Sequence, residues 1–213
     1  DTDVMDNWNT SSLTPYICYA LFSNTTNVFD EQILNKFIPM SMRPQAHDII
    51  RTWTFYTIVK TSLHHASMPW KNIVISGHVL SDSKEKLSKS KEQKKESPQL
   101  LLQIYPADAI RYWTASGALG QDIAFSEGQL KIGLRLITKV WNAFIFIKEH
   151  IAHITQPATQ PEYLNTLDKW LLHQSSRCFE TYEKKFEAHE FSLALAAVEH
   201  FFWHDFCDNY LEL

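Results

Sequence analysis

The second half of the chain repeats hydrophobic residues at steps of three and four positions, which is the spacing of one helix face. The repeat is continuous over Leu130, Leu134, Ile137, Val140, Trp141, Phe144 and Ile147. Ser126 and Glu127 stand where a helix N-cap and first turn belong, so one long helix is predicted to start there. Two more helical patterns, 164–188 and 191–213, follow a Pro-containing break, and together the three predict an antiparallel helical bundle.

The first part of the chain has a different pattern, in which short apolar runs alternate with helical segments. Helices are predicted over 30–37 and 48–63 and a short strand over 40–43, with the turn RPQAH between the strand and the second helix. Residues 72–80 (NIVISGHVL) are apolar and β-branched, which is typical of a parallel strand buried on both faces. Strand, helix and strand predict a βαβ unit, so the fold class is mixed α/β and then all-α.

A lysine-rich segment, 81–97, follows the predicted strand, and the stretch 84–96 within it holds six Lys and three Glu. A solvent-exposed loop is predicted here, because almost nothing in the segment is apolar. Lys86 and Lys89 in such a loop could reach a triphosphate bound at the carboxyl end of the strand. From composition alone, a solvated linker without chemistry is the favoured alternative.

Composition and charge narrow the classes of protein without identifying a partner. The net charge of −4 over 213 residues does not indicate a nucleic-acid binder, although phosphate contacts need only local positive charge. Cys18, Cys178 and Cys207 are far apart and lack a CxxC spacing, so neither a disulfide framework nor a structural metal is predicted. His200 and His204 have the i, i+4 spacing of metal ligands, but packing or capping is favoured because no third ligand accompanies them.

Targeting signals are not evident in the sequence. No apolar run approaches the roughly twenty residues of a membrane span, and the N-terminal DTDVMDNW has no basic start followed by an apolar core. No membrane partner and a cytoplasmic location are therefore predicted. Because position 1 is not Met, the chain is also expected to begin inside a larger protein.

Four strings carry a resemblance to a known family. KLSKS, which follows IVISGHVL, closely resembles the KMSKS signature of class I aminoacyl-tRNA synthetases. RPQAHDIIRTWTFYTI, DTDVMDNWNTSSLTP and FFWHDFCDNYLEL are similar to segments of the valyl-tRNA synthetases within that class, and they occur in the family's order. The resemblance implies that 1–120 is the C-terminal half of a Rossmann-like catalytic domain and that 121–213 is the N-terminal part of a helical anticodon-binding domain.

The same resemblance implies roles for residues of this sequence. The residues implied in catalysis are Lys86, Ser88 and Lys89, with the lysines holding pyrophosphate and the serine assisting. Those implied in binding ATP or the adenylate are His47, Asp48, Ile75, Gly77 and Val79. Those implied in binding valine are Trp8, Asp48, Ile49 and Trp53. Contact with tRNA is implied for Arg111, in a helix that links the catalytic domain to the bundle.

Purely structural interpretations exist for these positions as well. Asp48 is equally well interpreted as a helix N-cap, and the glycine inside the strand as a bulge or a tight packing position. Without the surrounding strings, Trp8 and Trp53 are better interpreted as core aromatics. Arg111 and Asp108 have i, i+3 spacing, and an ordinary ion pair is the preferred interpretation for this pair.

The family's reaction is the activation of valine with ATP, with Mg²⁺ expected, and the transfer of valine to tRNA(Val). By resemblance, the parent protein is a ligase of this kind, with valine, ATP and tRNA(Val) as its partners. No HIGH-like string occurs in the sequence, so the missing N-terminal half of the catalytic domain is a further expected partner. Alone, the chain is expected to be inactive and to lack an editing site.

Departures from the family pattern leave an alternative open. Glu92 and Gln93 follow Lys91 where family members read KSKGN, which replaces a flexible Gly and adds a negative charge near the phosphates. The alternative is a degenerate synthetase-like module that binds tRNA or a protein partner without catalysis. Isoleucyl enzymes, the nearest competitor within the class, read WFDSG where residues 8–12 here are WNTSS, which favours the valyl type.

Overall fold

The computed structural model describes residues 3–4, 6–27, 31–80, 98–152 and 163–213, with no side chains described for positions 32 and 33. The chain divides into two compact units, Asp1–Gly77 and His78–Leu213. The lysine-rich segment 81–97 lies outside the described residues, so the loop predicted there stays a prediction.

The first unit contains short helices and one pair of strands. Its elements are α1 (Asn7–Ser11), α2 (Thr14–Ser23), α3 (Glu31–Phe37), β1 (Met40–Ala46), a 3-10 turn (His47–Ile49), a π-helical segment (Ile50–Thr54), α4 (Phe55–His65) and β2 (Trp70–Ser76). A buried cluster packs α2 against α3 and consists of Tyr16, Tyr19, Leu34 and Ile38. The Tyr16 hydroxyl donates to Thr61 Oγ1 at 3.1 Å, which ties this cluster to α4.

The predicted βαβ unit is confirmed, because β1 and β2 pair in parallel from Met40↔Trp70 to Ala46↔Ser76 with α4 between them. The predicted strand was too short, and RPQAH is not a turn, since Pro44 and its neighbours belong to β1. Pro lacks a backbone donor, but β1 pairs with β2 alone in the described residues, and a strand with a free edge tolerates it.

The single buried strand predicted over 72–80 is wrong. β2 ends at Ser76, and Val79–Leu80 forms a separate strand, β3, in the second unit. Within the described residues β2 also belongs to a two-stranded sheet, so Ile73 is 38% exposed instead of being covered on both faces. β-branched composition therefore identified a strand correctly, but it did not identify where the strand breaks or how well it is covered.

The helix predicted over 48–63 exists, but its first part is not α-helical. A 3-10 turn and then a π-helical segment precede α4, which itself runs over Phe55–His65. Threonine hydroxyls in this stretch bond to backbone carbonyl oxygens: Thr52 Oγ1 donates to Ile49 at 3.4 Å and Thr57 Oγ1 donates to Trp53 at 2.6 Å. Such side-chain bonds compete with the regular backbone hydrogen bonds of an α-helix. The spacing of hydrophobic residues does not predict this competition.

The second unit begins with a small parallel strand pair and continues as helices. Its elements are β3 (Val79–Leu80), α5 (Pro98–Ile104), α6 (Ala107–Ser116), β4 (Ile123–Ala124), α7 (Glu127–Ile151), α8 (Thr166–Glu187), α9 (Phe191–His200) and a π-helical segment (Phe201–Tyr210). β3 and β4 pair in parallel. The buried cluster beside them consists of Leu101, Trp113, Phe125 and Leu130.

The predicted helical bundle is confirmed in the described part of 126–213. The Ser126 side chain caps α7, accepting from Gln129 N at 3.4 Å. α8 runs antiparallel to the helix that follows it, because an early residue of one contacts a late residue of the other: Tyr210 donates to Asp168 at 2.9 Å. The pattern over 191–213 divides into α9 and the π-helical segment, a change of helix type that the sequence pattern did not predict.

Three further features concern the described residues as a whole. The three cysteines are free. No group of three or more His, Cys, Asp or Glu side chains in this part of the chain is arranged to hold a metal ion. None of its helices combines the length and the apolar character that a membrane crossing requires.

Candidate functional site

The carboxyl ends of β1 and β2 meet at one edge of the parallel pair, which we call the carboxyl edge. Ala46 lies opposite Ser76, and Ile75 lies opposite Gln45. The register also places the residues that follow each strand at the same edge, where open α/β sheets bind their ligands. The candidate residues assembled there are His47, Asp48, Ile49, Ile75 and Gly77.

Asp48 and Ile49 lie in the 3-10 turn that begins as soon as β1 ends. Asp48 is exposed and Ile49 is half-buried. The N-cap position of the turn is occupied by Ala46, so the N-cap interpretation of Asp48 does not hold. Asp48 instead presents an exposed carboxylate in the first turn, where it can accept hydrogen bonds from a polar ligand.

Trp53 is fixed by contacts on its edge and its ring. Its Nε1 donates to the Ser11 carbonyl oxygen at 2.9 Å, and its ring centroid lies 5.2 Å from that of Trp70. The Arg43 guanidinium carbon lies 3.9 Å from the ring centroid, which is a cation–π arrangement. Only 4% of Trp53 is exposed, so in the first unit it packs as a core aromatic.

Trp8 lies on α1 and is 36% exposed. Asp6 caps this helix, its Oδ1 accepting from Trp8 N at 3.2 Å. Two backbone carbonyl oxygens of α1 accept from the region around α4: Ser11 from the Trp53 indole, and Asn9 from Lys60 Nζ at 2.7 Å. The structure therefore holds the helix that carries Trp8 beside Trp53, as a shared pocket would require.

Arg43 and Gln45 are further candidate site residues, which sequence reasoning missed. Both lie on β1, and Gln45 Oε1 accepts from Thr54 Oγ1 at 2.5 Å. Gln45 is 6% exposed, and within the described residues neither Gln45 Nε2 nor Arg43 Nε has a hydrogen-bond partner. Positions two apart share one face of a strand, so a strand predicted through Ala46 would have placed these two donors together.

The charge of Arg43 is held in a partly buried setting. Burial lowers the pKa of its guanidinium, and the nearby Cys18 acts in the opposite direction. Burial also lowers the pKa of Lys60, whose ammonium bonds to the Asn9 carbonyl oxygen. Both cations lie in the first unit near Trp53 or the helix that carries Trp8, so they add positive charge and donors to this region.

The remaining candidates belong to the second unit or lie outside the described residues. Val79 is on β3 in the second unit, where it pairs with Ile123. Arg111 lies on α6 and forms the predicted ion pair with Asp108, with 3.3 Å between Nη1 and Oδ1. Both side chains of the pair are largely exposed. Lys86, Ser88 and Lys89 lie outside the described residues.

Comparison with known protein families assigns the chain to one of them. Residues 1–126 match the model of the class I tRNA synthetases (I, L, M and V), and residues 168–213 match the model of the anticodon-binding domain of tRNA ligases. The chain belongs to the class I tRNA synthetases. The synthetase match includes the carboxyl edge, α1 and the segment 81–97.

Curated relatives of this synthetase chain match it along its whole length. It is 45% identical over 213 residues to the Valine--tRNA ligase of Wolbachia sp. subsp. Brugia malayi (strain TRS), and the match covers 25% of that protein. It is 41% identical over 220 residues to the Valine--tRNA ligase of Rickettsia felis, again covering 25% of the relative. The chain thus spans a quarter of the length of these relatives.

Solved structures of class I synthetases share the fold of this chain. A ternary LeuRS–tRNA–LeuAMS complex from Agrobacterium radiobacter K84 matches with a TM-score of 0.80 at 18% identity, covering 96% of this chain and 27% of that one. Mycobacterium tuberculosis methionyl-tRNA synthetase in complex with methionyl-adenylate matches with a TM-score of 0.65 at 20% identity, covering 84% and 35%. The expected fold, a Rossmann-like half-domain followed by a helical bundle, is confirmed.

Proposed function

We propose that this chain is part of a ligase that activates valine with ATP and transfers it to tRNA(Val). The observation that carries the proposal is the 45% and 41% identity along the whole chain to two proteins named Valine--tRNA ligase. Residues 1–120 are the C-terminal half of the catalytic domain, and 121–213 begin the anticodon-binding domain. Because no HIGH-like string occurs in the chain, we expect it to be inactive alone.

The valine site is formed by Trp8, Asp48, Ile49 and Trp53. The exposed Trp8 and the half-buried Ile49 supply apolar walls for a small aliphatic side chain, and the Asp48 carboxylate accepts from the amino group. Trp53 is covered by Arg43 and Trp70, so its part in the site is to fix the helix that carries Trp8 through the Ser11 carbonyl oxygen. Such walls exclude larger side chains by size.

ATP binds at the carboxyl edge, with His47 and Asp48 against the adenylate and Ile75 and Gly77 against the adenine. The carboxylate of valine attacks the α-phosphorus of ATP, the bond to the β-phosphate oxygen breaks, and pyrophosphate leaves. Lys86 and Lys89 neutralise the charge on the departing pyrophosphate, and Ser88 assists by hydrogen bonding. Support for these roles comes from the meeting of both strand ends at this edge and from the family match that includes 81–97.

Mg²⁺ is the metal expected with ATP. The described residues contain no group of three His, Cys, Asp or Glu side chains that could hold it. Mg²⁺ commonly keeps several waters and binds through nucleotide phosphates, which does not require a protein cage. We therefore assign no residue of this chain to the metal.

Transfer RNA is the second substrate of the proposed ligase. The region 168–213 matches an anticodon-binding model, which supports tRNA contact by the helical bundle. Arg111 is exposed on α6, and its pairing with Asp108 leaves guanidinium donors available for a phosphate. Its contribution is one charge contact, so its loss weakens tRNA binding without changing amino-acid choice.

A chimera tests the proposal. In it, this chain replaces the matching 213 residues of the Wolbachia relative, whose intact form is the control. We expect ATP–pyrophosphate exchange with valine and none with isoleucine. Exchange with threonine, which is nearly isosteric with valine, should be slower by about tenfold to 200-fold. A folded chimera without exchange for any amino acid contradicts the proposal and supports the noncatalytic binding module.

Two lysine variants of the chimera locate the chemistry. Lys86→Ala and Lys89→Ala should each lower the exchange rate by about 100-fold or more, as expected when one charge stabiliser is removed from a transition state. Lys94→Ala, in the same lysine-rich segment, is the matched control and should change the rate less than twofold. Equal losses in all three variants would show that net charge matters, and not the KLSKS positions.

A further inference from the structure

Tyr112 on α6 connects two parts of the second unit that are far apart in sequence. Its hydroxyl donates to Glu199 Oε2 on α9 at 2.9 Å, across 87 residues. α6 lies within the residues that match the synthetase model, and α9 lies within those that match the anticodon-binding model. This partly buried bond therefore crosses from one matched segment to the other.

The ring of Tyr112 also rests on the backbone of α7. A Cβ placed on Gly133 would lie 2.7 Å from Tyr112 Cδ1, closer than real Cβ atoms approach a neighbour. Gly133 is buried, and the absence of its side chain is what allows α6 and α7 to approach at this point. One side chain is thus held by α7 at its ring and by α9 at its hydroxyl.

The residue after Tyr112 belongs to the core beside the strand pair. Trp113 packs edge-on against Phe125, with 5.6 Å between ring centroids, and shares a buried cluster with Leu101 of α5. Phe125 N donates to the Leu80 carbonyl oxygen at 2.8 Å, at the end of β3. Leu80 and α5 are the described neighbours of the segment 81–97, so both sides of that segment contact one core.

From these contacts we infer that Tyr112 is a positioning residue. It fixes the helical region 168–213 against the buried cluster that contains Trp113, which also contacts the end of β3 and α5. The inference rests on the proposed function. tRNA bound on the helical region then has a fixed position relative to Leu80 and α5, which flank the proposed catalytic segment in sequence, and this position matters for the transfer step. Amino-acid activation proceeds without tRNA and does not need the bond.

The chemistry of the bond suits this role. Burial and the neighbouring carboxylate raise the pKa of Tyr112 to about 12, so the phenol stays protonated and donates even above pH 10.0. A donor to a charged acceptor forms a stronger bond than a neutral pair does. Its geometry is also restricted, because the ring cannot move toward α7 past Gly133.

The first test uses Tyr112→Phe and Glu199→Gln in the chimera, with Tyr163→Phe as the exposed control. The steady-state kcat of tRNA charging should fall by about tenfold to 100-fold in each variant, as for loss of one hydrogen bond to a charged group. Valine-dependent pyrophosphate exchange and the KM for valine should stay within twofold. The double variant should be no worse than either single one, because both remove the same bond. Parallel losses of exchange and charging, or no loss of charging, overturn the inference.

A second test does not depend on catalysis. In the 213-residue chain itself, Tyr112→Phe should speed hydrogen exchange of the amides of Phe125 and Ala194 together, by about tenfold. Faster exchange on α9 alone would mean that the bond only secures that helix, which contradicts the inference. A wild-type chimera without ATP–pyrophosphate exchange would contradict the proposed function. The amide hydrogen-exchange measurement would still decide whether Tyr112 joins the two regions.

Discussion

At the residue scale, the structure separates candidates that look alike in sequence. Trp8 and Trp53 are both tryptophans in strings that resemble the family, yet one is 36% exposed and the other 4% exposed. The sequence could not distinguish them, because the burial of Trp53 depends on Arg43 and Trp70, which come from two different strands. By contrast, the ion pair of Arg111 with Asp108 follows from local spacing and was predicted correctly.

Arg43 should contribute to stability through Trp53. Replacing Arg43 by Met keeps an unbranched apolar stem but removes the cation 3.9 Å from the ring centroid. We expect a loss of about 0.5–2 kcal/mol in the free energy of unfolding of the first unit, measured by urea titration. Arg51→Met, at an exposed position of the π-helical segment, is the control and should change it by less than about 0.5 kcal/mol. Equal effects of the two substitutions would show that the stacking is not stabilising.

Tyr112 should also be visible in a pH titration. Its folded pKa is raised to about 12 from the ordinary 10.0, so the folded protein keeps a proton that the unfolded chain loses. The stability it contributes is fully present below pH 10.0 and is lost as the pH rises toward about 12. Tyrosinate absorbance of the wild type minus that of Tyr112→Phe should therefore show one group titrating near the upper value. Titration near pH 10.0 in a folded sample would contradict the buried bond to Glu199.

At the element scale, periodicity predicted that elements exist better than it predicted their limits. The long helix capped by Ser126 was identified because a 25-residue amphipathic repeat is an extended local signal. β1 was cut short at Arg43 because Pro44 indicates a turn in isolation, while the parallel partner strand accepts it. The π-helical segments before α4 and after α9 depend on side-chain and packing contacts that no three- or four-residue repeat reveals.

The crossing of α6 and α7 should be intolerant of one added methyl group. Gly133→Ala would place Cβ 2.7 Å from the Tyr112 ring, and we expect a loss of about 1–3 kcal/mol in the free energy of unfolding. Gly128→Ala on the same helix meets only Ser126 Oγ at 3.4 Å, so it should be neutral or stabilise by up to about 1 kcal/mol. Thermal unfolding followed by circular dichroism compares the two. A Gly133→Ala protein as stable as the wild type would show that the helices can separate freely at this point.

At the scale of the whole molecule, two compact units and two family matches do not divide the chain at the same place. The boundary between the compact units falls between Gly77 and His78 in the sequence, whereas the synthetase match continues to residue 126. The strand pair β3–β4 and helices α5 and α6 therefore belong to the synthetase match by sequence but pack with the helical region in the structure. The sequence motifs predicted the family. The packing of α6 against the helical region is evident only from contacts such as that between Tyr112 and Glu199.

The chain covers a quarter of the relatives that it matches, so its proposed role must be tested in a complete ligase. The most direct measurement is the transfer of labelled valine to tRNA by the chimera that contains this chain. We expect charging of tRNA(Val), no charging of tRNA(Ile), and loss of charging when Lys89 is replaced by Ala. Charging that is absent in a folded chimera, or that proceeds equally with isoleucine, would contradict it.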